Sequence, residues 1–132
     1  MKSSLVYLAS PYSHPDPLVR ESRFQAVCKA AAHLMGAGLH IFSPIAHTHP
    51  IALAGSLPGD WEYWKAYDET MLAACGALVV LALDDWQQSK GIREEEKIAH
   101  RLLLPTLYTG PEPESLDLLA RVIIQDLPPS QR

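Results

Sequence analysis

A chain of 132 residues, 48% hydrophobic and 20% charged, has the size and composition of one globular domain with its own core. Its formal net charge is −4 and no run of Lys or Arg exceeds two, which argues against a protein that grips a nucleic-acid backbone. One small phosphorylated ligand needs only a few donors and stays open.

Leu5–Ala9 is a short apolar run ending in Ser10-Pro11-Tyr12-Ser13, and reads as a buried strand with a polar loop at its C-terminal end. It is far too short for the apolar region of a signal peptide. No stretch approaches the ~20 apolar residues of a membrane span. The cytoplasm is therefore the expected compartment, with neither membrane nor nucleic acid as partner. From about Pro17 to Gly36 the apolar positions follow a helical period, which Gly36-Ala37-Gly38 stops. Leu39–Phe42 predicts a second strand. The next segment, 44–59, holds Pro44, Pro50, Pro58, Gly55 and Gly59, and reads as a long irregular loop too apolar for a linker.

Asp60 is a good N-cap for a helix to Cys75, and Gly76 ends it. Ala77–Leu83 is the clearest central strand. After a polar loop at 84–88, Ser89 caps a helix reaching Leu103. Residues 105–108 predict a last strand and 115–125 a last helix. A single domain over 1–127 with a disordered tail, 128–132, follows. Cys28 and Cys75 are too few and too far apart for a disulfide framework or a zinc site, and read as reduced core residues. Strands alternating with helices imply an α/β fold with a doubly wound parallel sheet of four to five strands, whose ligands bind at the C-terminal strand ends.

Two acids break the apolar patterns. At ~100° per residue, Ile92, Ile98, Ala99, Leu102 and Leu103 make the inward stripe of the third helix, and Glu95 falls in its middle. Its neighbour Glu94 faces solvent and Glu96 the edge. Trp61, Trp64, Met71, Leu72 and Cys75 make the stripe of the preceding helix, and Asp68 sits among them. Buried carboxyls are costly unless paired, hydrogen-bonded or used. Asp68 has a structural alternative, a hydrogen bond to a nearby loop. Glu95 has another, as a helix-start acid favoured by the dipole. Acid pairs that divide nucleophile and proton-transfer roles are the recurring solution for glycosidic bonds.

The segment Ser89-Lys90-Gly91-Ile92-Arg93-Glu94-Glu95-Glu96-Lys97-Ile98-Ala99 fits Ser-x-Gly-x-x-x-Glu-x-x-x-Ala. That pattern resembles the signature of the nucleoside 2-deoxyribosyltransferase superfamily. Tyr7-Leu8-Ala9-Ser10-Pro11-Tyr12 is similar to its first strand and substrate loop, and Asp68 to its acid before the central strand. Ser43-Pro44-Ile45-Ala46-His47-Thr48-His49-Pro50 resembles a bacterial branch of the superfamily.

The resemblance implies a flavodoxin-like fold and sites shared between subunits. It implies that Glu95 attacks the anomeric carbon to give a covalent glycosyl-enzyme, while Asp68 protonates the departing base or orients the sugar. Tyr7, Ser10, Pro11, Tyr12, Ser43, His47, Asp84, Ser89 and Gly91 are the expected substrate contacts. The transferases carry an acid where this chain has Ser89, whereas the branch that hydrolyses deoxynucleoside 5′-monophosphates carries Ser. The tail does not resemble the C-terminal segment whose carboxylate the transferases use. Both departures favour a hydrolase.

Other residues are less determinate. His47 and His49 lack a third ligand at metal-site spacing, so a metal is not expected, and no feature implies an organic cofactor. Trp61, Trp64 and Tyr67 suit base stacking or core packing. Arg20 and Arg23 suit a phosphate or a solvated face. One of Asp84 and Asp85 suits ribose hydroxyls. The expected activity is cleavage of the N-glycosidic bond of a nucleoside 5′-monophosphate or nucleoside. Deoxyribosyl transfer between bases and a non-catalytic nucleotide-binding module are the alternatives. The apolar 44–59 segment predicts a homo-oligomer, a dimer or tetramer.

Overall fold

The computed structural model describes residues 1–128 and 130. In chain order the elements are β1 (Leu5–Ala9), α1 (Pro17–Gly36), β2 (His40–Phe42), α2 (Pro44–Gly55), α3 (Trp61–Ala73), β3 (Ala77–Leu81), a 3-10 turn at Trp86–Gln88, α4 (Lys90–Arg101), β4 (Thr106–Thr109) and α5 (Pro113–Asp126). The four strands form one all-parallel sheet in the order β2-β1-β3-β4. This is a flavodoxin/Rossmann-like doubly wound α/β domain.

The alternation of side chains along the two middle strands divides the core. Val6, Leu8, Val79 and Leu81 point to one face, where Val27, Ala30, Ala31 and Leu34 of α1 and Leu116, Leu119, Ala120 and Ile123 of α5 cover them. Tyr7, Ala9, Leu78 and Val80 point to the other face, covered by Leu72 of α3 and Ile92, Ile98 and Ala99 of α4. Every residue of β3 is buried, as a strand covered on both faces must be. Asp16 starts α1 by accepting from Leu18 N at 2.9 Å, with Pro17 in the first turn. Gly38, at φ +99°, turns the chain into β2.

Three expectations need correction. Residues 44–55 are helical, not irregular: Ser43 Oγ accepts from Ala46 N at 3.1 Å and Pro44 lies at the helix start, where its missing N–H costs nothing. Pro50 sits inside α2 and Ser56 closes it in the left-handed conformation. The helix capped by Ser89, α4, stops at Arg101, so Leu103 does not join the inward stripe. Its backbone is left-handed at φ 59°, its side chain is 88% exposed, and Leu104 takes the core position instead. Finally, β3 ends at Leu81 rather than Leu83. The expected disordered tail falls largely on residues outside those described. Among the described residues no helix is long and apolar enough to cross a membrane.

Gly76, between α3 and β3, donates its N–H to Leu5 O at 2.8 Å, and a Cβ there would lie 2.0 Å from the Ser3 carbonyl oxygen. Backbone cannot yield as a side-chain end can. Gly76→Ala is therefore expected to destabilise the domain by about 1–3 kcal/mol, read as a lower urea midpoint at unchanged m-value.

Candidate active site

β1 continues into α1 on one face of the sheet and β3 into α4 on the other, so the loops after these neighbouring strands diverge. The gap is a cleft of about 780 Å³. Its walls come from Ser10–His14 after β1, from α2, from the start of α3, and from Asp85 and Gln88–Gly91 after β3, with Asp68 and Glu95 deeper in.

Glu95 is placed by α4. Ser89 begins this helix by accepting from Ile92 N at 3.2 Å. With Ile92, Ile98 and Ala99 facing the sheet, Glu95 must face it too, and only 5% of its surface is exposed. Beneath it, the fully buried Tyr7 hydroxyl donates to Glu95 Oε2. A Cβ on Gly91 would lie 3.9 Å from Oε1 and 3.9 Å from Trp61. The missing side chain therefore leaves room beside Oε1 at the cleft. One carboxyl oxygen is anchored, and the other lies beside Gly91, where both residues line the cleft.

Burial dominates the electrostatics. It pushes Glu95 up to about 8 against the Tyr7 hydrogen bond, which favours the ionised form, and with the charges of Asp68 and Glu96, which oppose it. Desolvation also raises Asp68, on α3, to about 7. Tyr7 is pushed well above its ordinary value by burial and by both acids, so it stays a donor. The two carboxyls titrate as a pair that keeps one proton over part of the range between about 7 and 8.

A second polar cluster lines the cleft where α1 and α2 meet it. His49, 5% exposed, stacks on Phe24 with ring centroids 4.2 Å apart. Its Nδ1 lies 2.5 Å from Tyr12 Oη and its Nε2 2.8 Å from Glu21 Oε2. Arg23 reaches the Ser13 carbonyl at 3.0 Å and also lines the cleft, while Arg20 donates to the His14 carbonyl. Ser10, 6% exposed, also lines the cleft, and its Oγ has no hydrogen-bond partner among the described residues.

The cleft gathers Ser10, Pro11, Tyr12, Asp68, Ser89, Gly91 and Glu95. It leaves out four of the residues expected to touch a substrate. Tyr7 lies behind Glu95 with no exposed surface. Ser43 spends its hydroxyl capping α2. His47 is exposed and stacks on Tyr67, with ring centroids 6.4 Å apart. Asp84 is exposed, and Asp85 lines the cleft in its place. Ile45, Thr48, His49 and Ala52 are at the wall instead, spaced i, i+3, i+4, i+7 as one helical face. That spacing is present in the sequence, but the prolines conceal it. Among the cleft-lining aromatics, Trp64 donates to the Pro58 carbonyl at 2.7 Å. Trp86 packs on the α3/α4 core and against Tyr108.

Because burial holds Glu95 above its unfolded value, the ionised carboxyl weakens the fold. The folded state then binds more protons than the unfolded one from about pH 4.5 up to about 8. Stability attributable to this group is present at low pH and is lost progressively across that window. Glu95→Gln is expected to stabilise the protein relative to wild type by a few kcal/mol at pH 8 and by little at pH 5, as read from urea midpoints.

No curated protein matches the sequence. The family match runs from Ser4 to Thr109, from the start of the sheet to the end of β4, and so takes in both carboxyls, the Tyr7 anchor and the His49 cluster. Over residues 4–109 the chain belongs to the family described as a domain of unknown function (DUF1937).

Proposed function

We propose that this protein cleaves the N-glycosidic bond of a nucleoside 5′-monophosphate or nucleoside through a covalent bond to Glu95. The observation that carries the reading is the divided Glu95 carboxyl, with Oε2 held by Tyr7 and Oε1 open beside Gly91. A nucleophile must stay in place while one oxygen attacks, and this arrangement leaves Oε1 free to do so. Its resemblance to the nucleoside 2-deoxyribosyltransferases supports the substrate class.

In the first step Glu95 Oε1 forms a bond to the anomeric carbon as the bond to the base nitrogen breaks, and Asp68 gives its proton to the departing base. In the second, water attacks the same carbon, Asp68 takes a water proton, and the Glu95 ester bond opens. Nucleotide and water become base and sugar phosphate. Positive charge developing on the sugar favours the ionised Glu95 and leaves the shared proton on Asp68. A phosphate is suited to the start of α4, where the free Lys90 and Gly91 N–H groups and the Ser89 hydroxyl lie.

Base release from a panel of nucleosides and 5′-monophosphates, followed by chromatography, tests the reading. Glu95→Ala should lower release by about a thousandfold or more; unchanged release would sink the proposal. Capture of the sugar by an added free base would make the enzyme a deoxyribosyltransferase. Tight binding without release, unaffected by Glu95→Ala, would make the protein a binding module.

The rate should follow a narrow bell against pH. Its rising limb, near 7, reports loss of the first proton from the pair, and its falling limb, near 8, loss of the second. Tyr7→Phe removes the hydrogen bond that favours ionised Glu95, so it should shift the alkaline limb upward and lower kcat by about 10–100-fold.

A homo-oligomer is proposed from the outer side of the 44–59 segment, where Ile51, Leu53 and Leu57 are 46%, 66% and 36% exposed. Sedimentation at micromolar concentration should give a mass above that of one chain.

A further inference from the structure

The mechanism leaves His49 unused, although it is buried, aromatic-stacked and hydrogen-bonded through both ring nitrogens. Glu21 is half-exposed, and hydrogen bonds from Gln25 and His49 hold it below the usual carboxylate range, so it is ionised and accepts only. In the neutral imidazole the single N–H therefore belongs on Nε2, pointing at Glu21. That leaves Nδ1 with a lone pair, which the Tyr12 hydroxyl must satisfy by donating its hydrogen at 2.5 Å. With its hydrogen committed, Tyr12 Oη can only accept from anything else in the cleft.

Tyr12 and His49 belong to the wall made by the β1–α1 loop and α2, whereas Asp68 and Glu95 come from α3 and α4 on the other face of the sheet. With the sugar at Glu95, a base within reach of Asp68 has the Tyr12 wall on its other side, because the two groups face each other across one cleft. The edge of a base away from its glycosidic nitrogen carries the exocyclic group, an amino donor in adenine and cytosine and a carbonyl acceptor in hypoxanthine and uracil.

We infer that the Glu21–His49–Tyr12 chain makes this wall an acceptor and selects nucleotides with an amino-bearing base over their keto counterparts. His49 is then a positioning residue acting through Tyr12. The inference rests on the proposed placement of the sugar at Glu95, yet it concerns recognition and is measurable without turnover. An amino base gains a hydrogen bond, while a keto base sets two acceptors against each other.

The test is equilibrium binding by calorimetry at pH 8, above the ordinary range of histidine titration. The probes are adenine against hypoxanthine 5′-monophosphates and cytosine against uracil 5′-monophosphates. Wild type should favour the amino member of at least one pair by about 10–100-fold. Tyr12→Phe should bring that ratio near one. His49→Phe keeps a ring against Phe24 but frees the Tyr12 hydroxyl to donate, so the keto member should gain affinity; a merely structural role would weaken both members alike. A wild-type ratio near one, a keto preference, a ratio surviving Tyr12→Phe, or no binding of any probe would each overturn the inference. Base release from wild type without an amino preference would leave the proposed function standing alone. A preference without base release would do the reverse.

Discussion

The site depends on one costly act, the burial of the Glu95 carboxyl against the sheet. An isolated ionised carboxyl in an apolar interior costs far more than one hydrogen bond returns. Tyr7 does not remove that cost, since burial still sets the direction of the shift. What the phenol decides is geometry, because it ties one oxygen to β1 and leaves the other turned to the cleft. The helix is bound by the same requirement. Ile92, Ile98 and Ala99 can pack on β1 and β3 only if the residue between them is carried inward as well.

Around that carboxyl the sheet supplies space rather than chemistry. With β1 and β3 adjacent and their exits on opposite faces, the loops after them part and leave the cleft between. Each wall is then free to specialise. The α3/α4 side holds two acids whose shared proton is set by desolvation, a medium effect. The α1/α2 side holds neutral and charged partners fixed in a directed chain by hydrogen bonds. Asp68 and His49 thus answer to different physics a few side chains apart.

The sheet, both outer layers and the inward acid of α4 were legible because they follow from periodicity. Runs such as Ala77–Leu81 have one stable environment, and Glu95 stands out only against a stripe that clear. Residues 44–55 failed for a local reason. Pro44 and Pro50 read as chain breakers, yet the first sits where a helix needs no donor, and the second is tolerated within α2 at the loss of one backbone hydrogen bond. Without the helix its face is hidden as well, and the sequence does not show that His49 rather than His47 lies at the cleft wall. Tyr7 is expected from its motif at the substrate, whereas its hydroxyl meets Glu95: strand alternation gives the side of the sheet, not the partner 88 residues away. Leu103 shows the limit of extending a period beyond a helix end, since one left-handed residue exchanged its place with Leu104.

That separation of 88 residues has a consequence for how the protein is made. Tyr7 emerges early in synthesis, but the carboxyl it anchors follows after α1, β2, α2, α3 and β3. Parallel pairing of β1 with β3 closes most of that loop, and such non-local pairing is slow to form. Until it does, the nascent chain carries β1 as an apolar segment with the short β2 on one edge and the other edge open. The acid pair is complete only once α4 has been made, so a chain interrupted before α4 has an exposed strand edge and no Glu95 for Tyr7 to anchor.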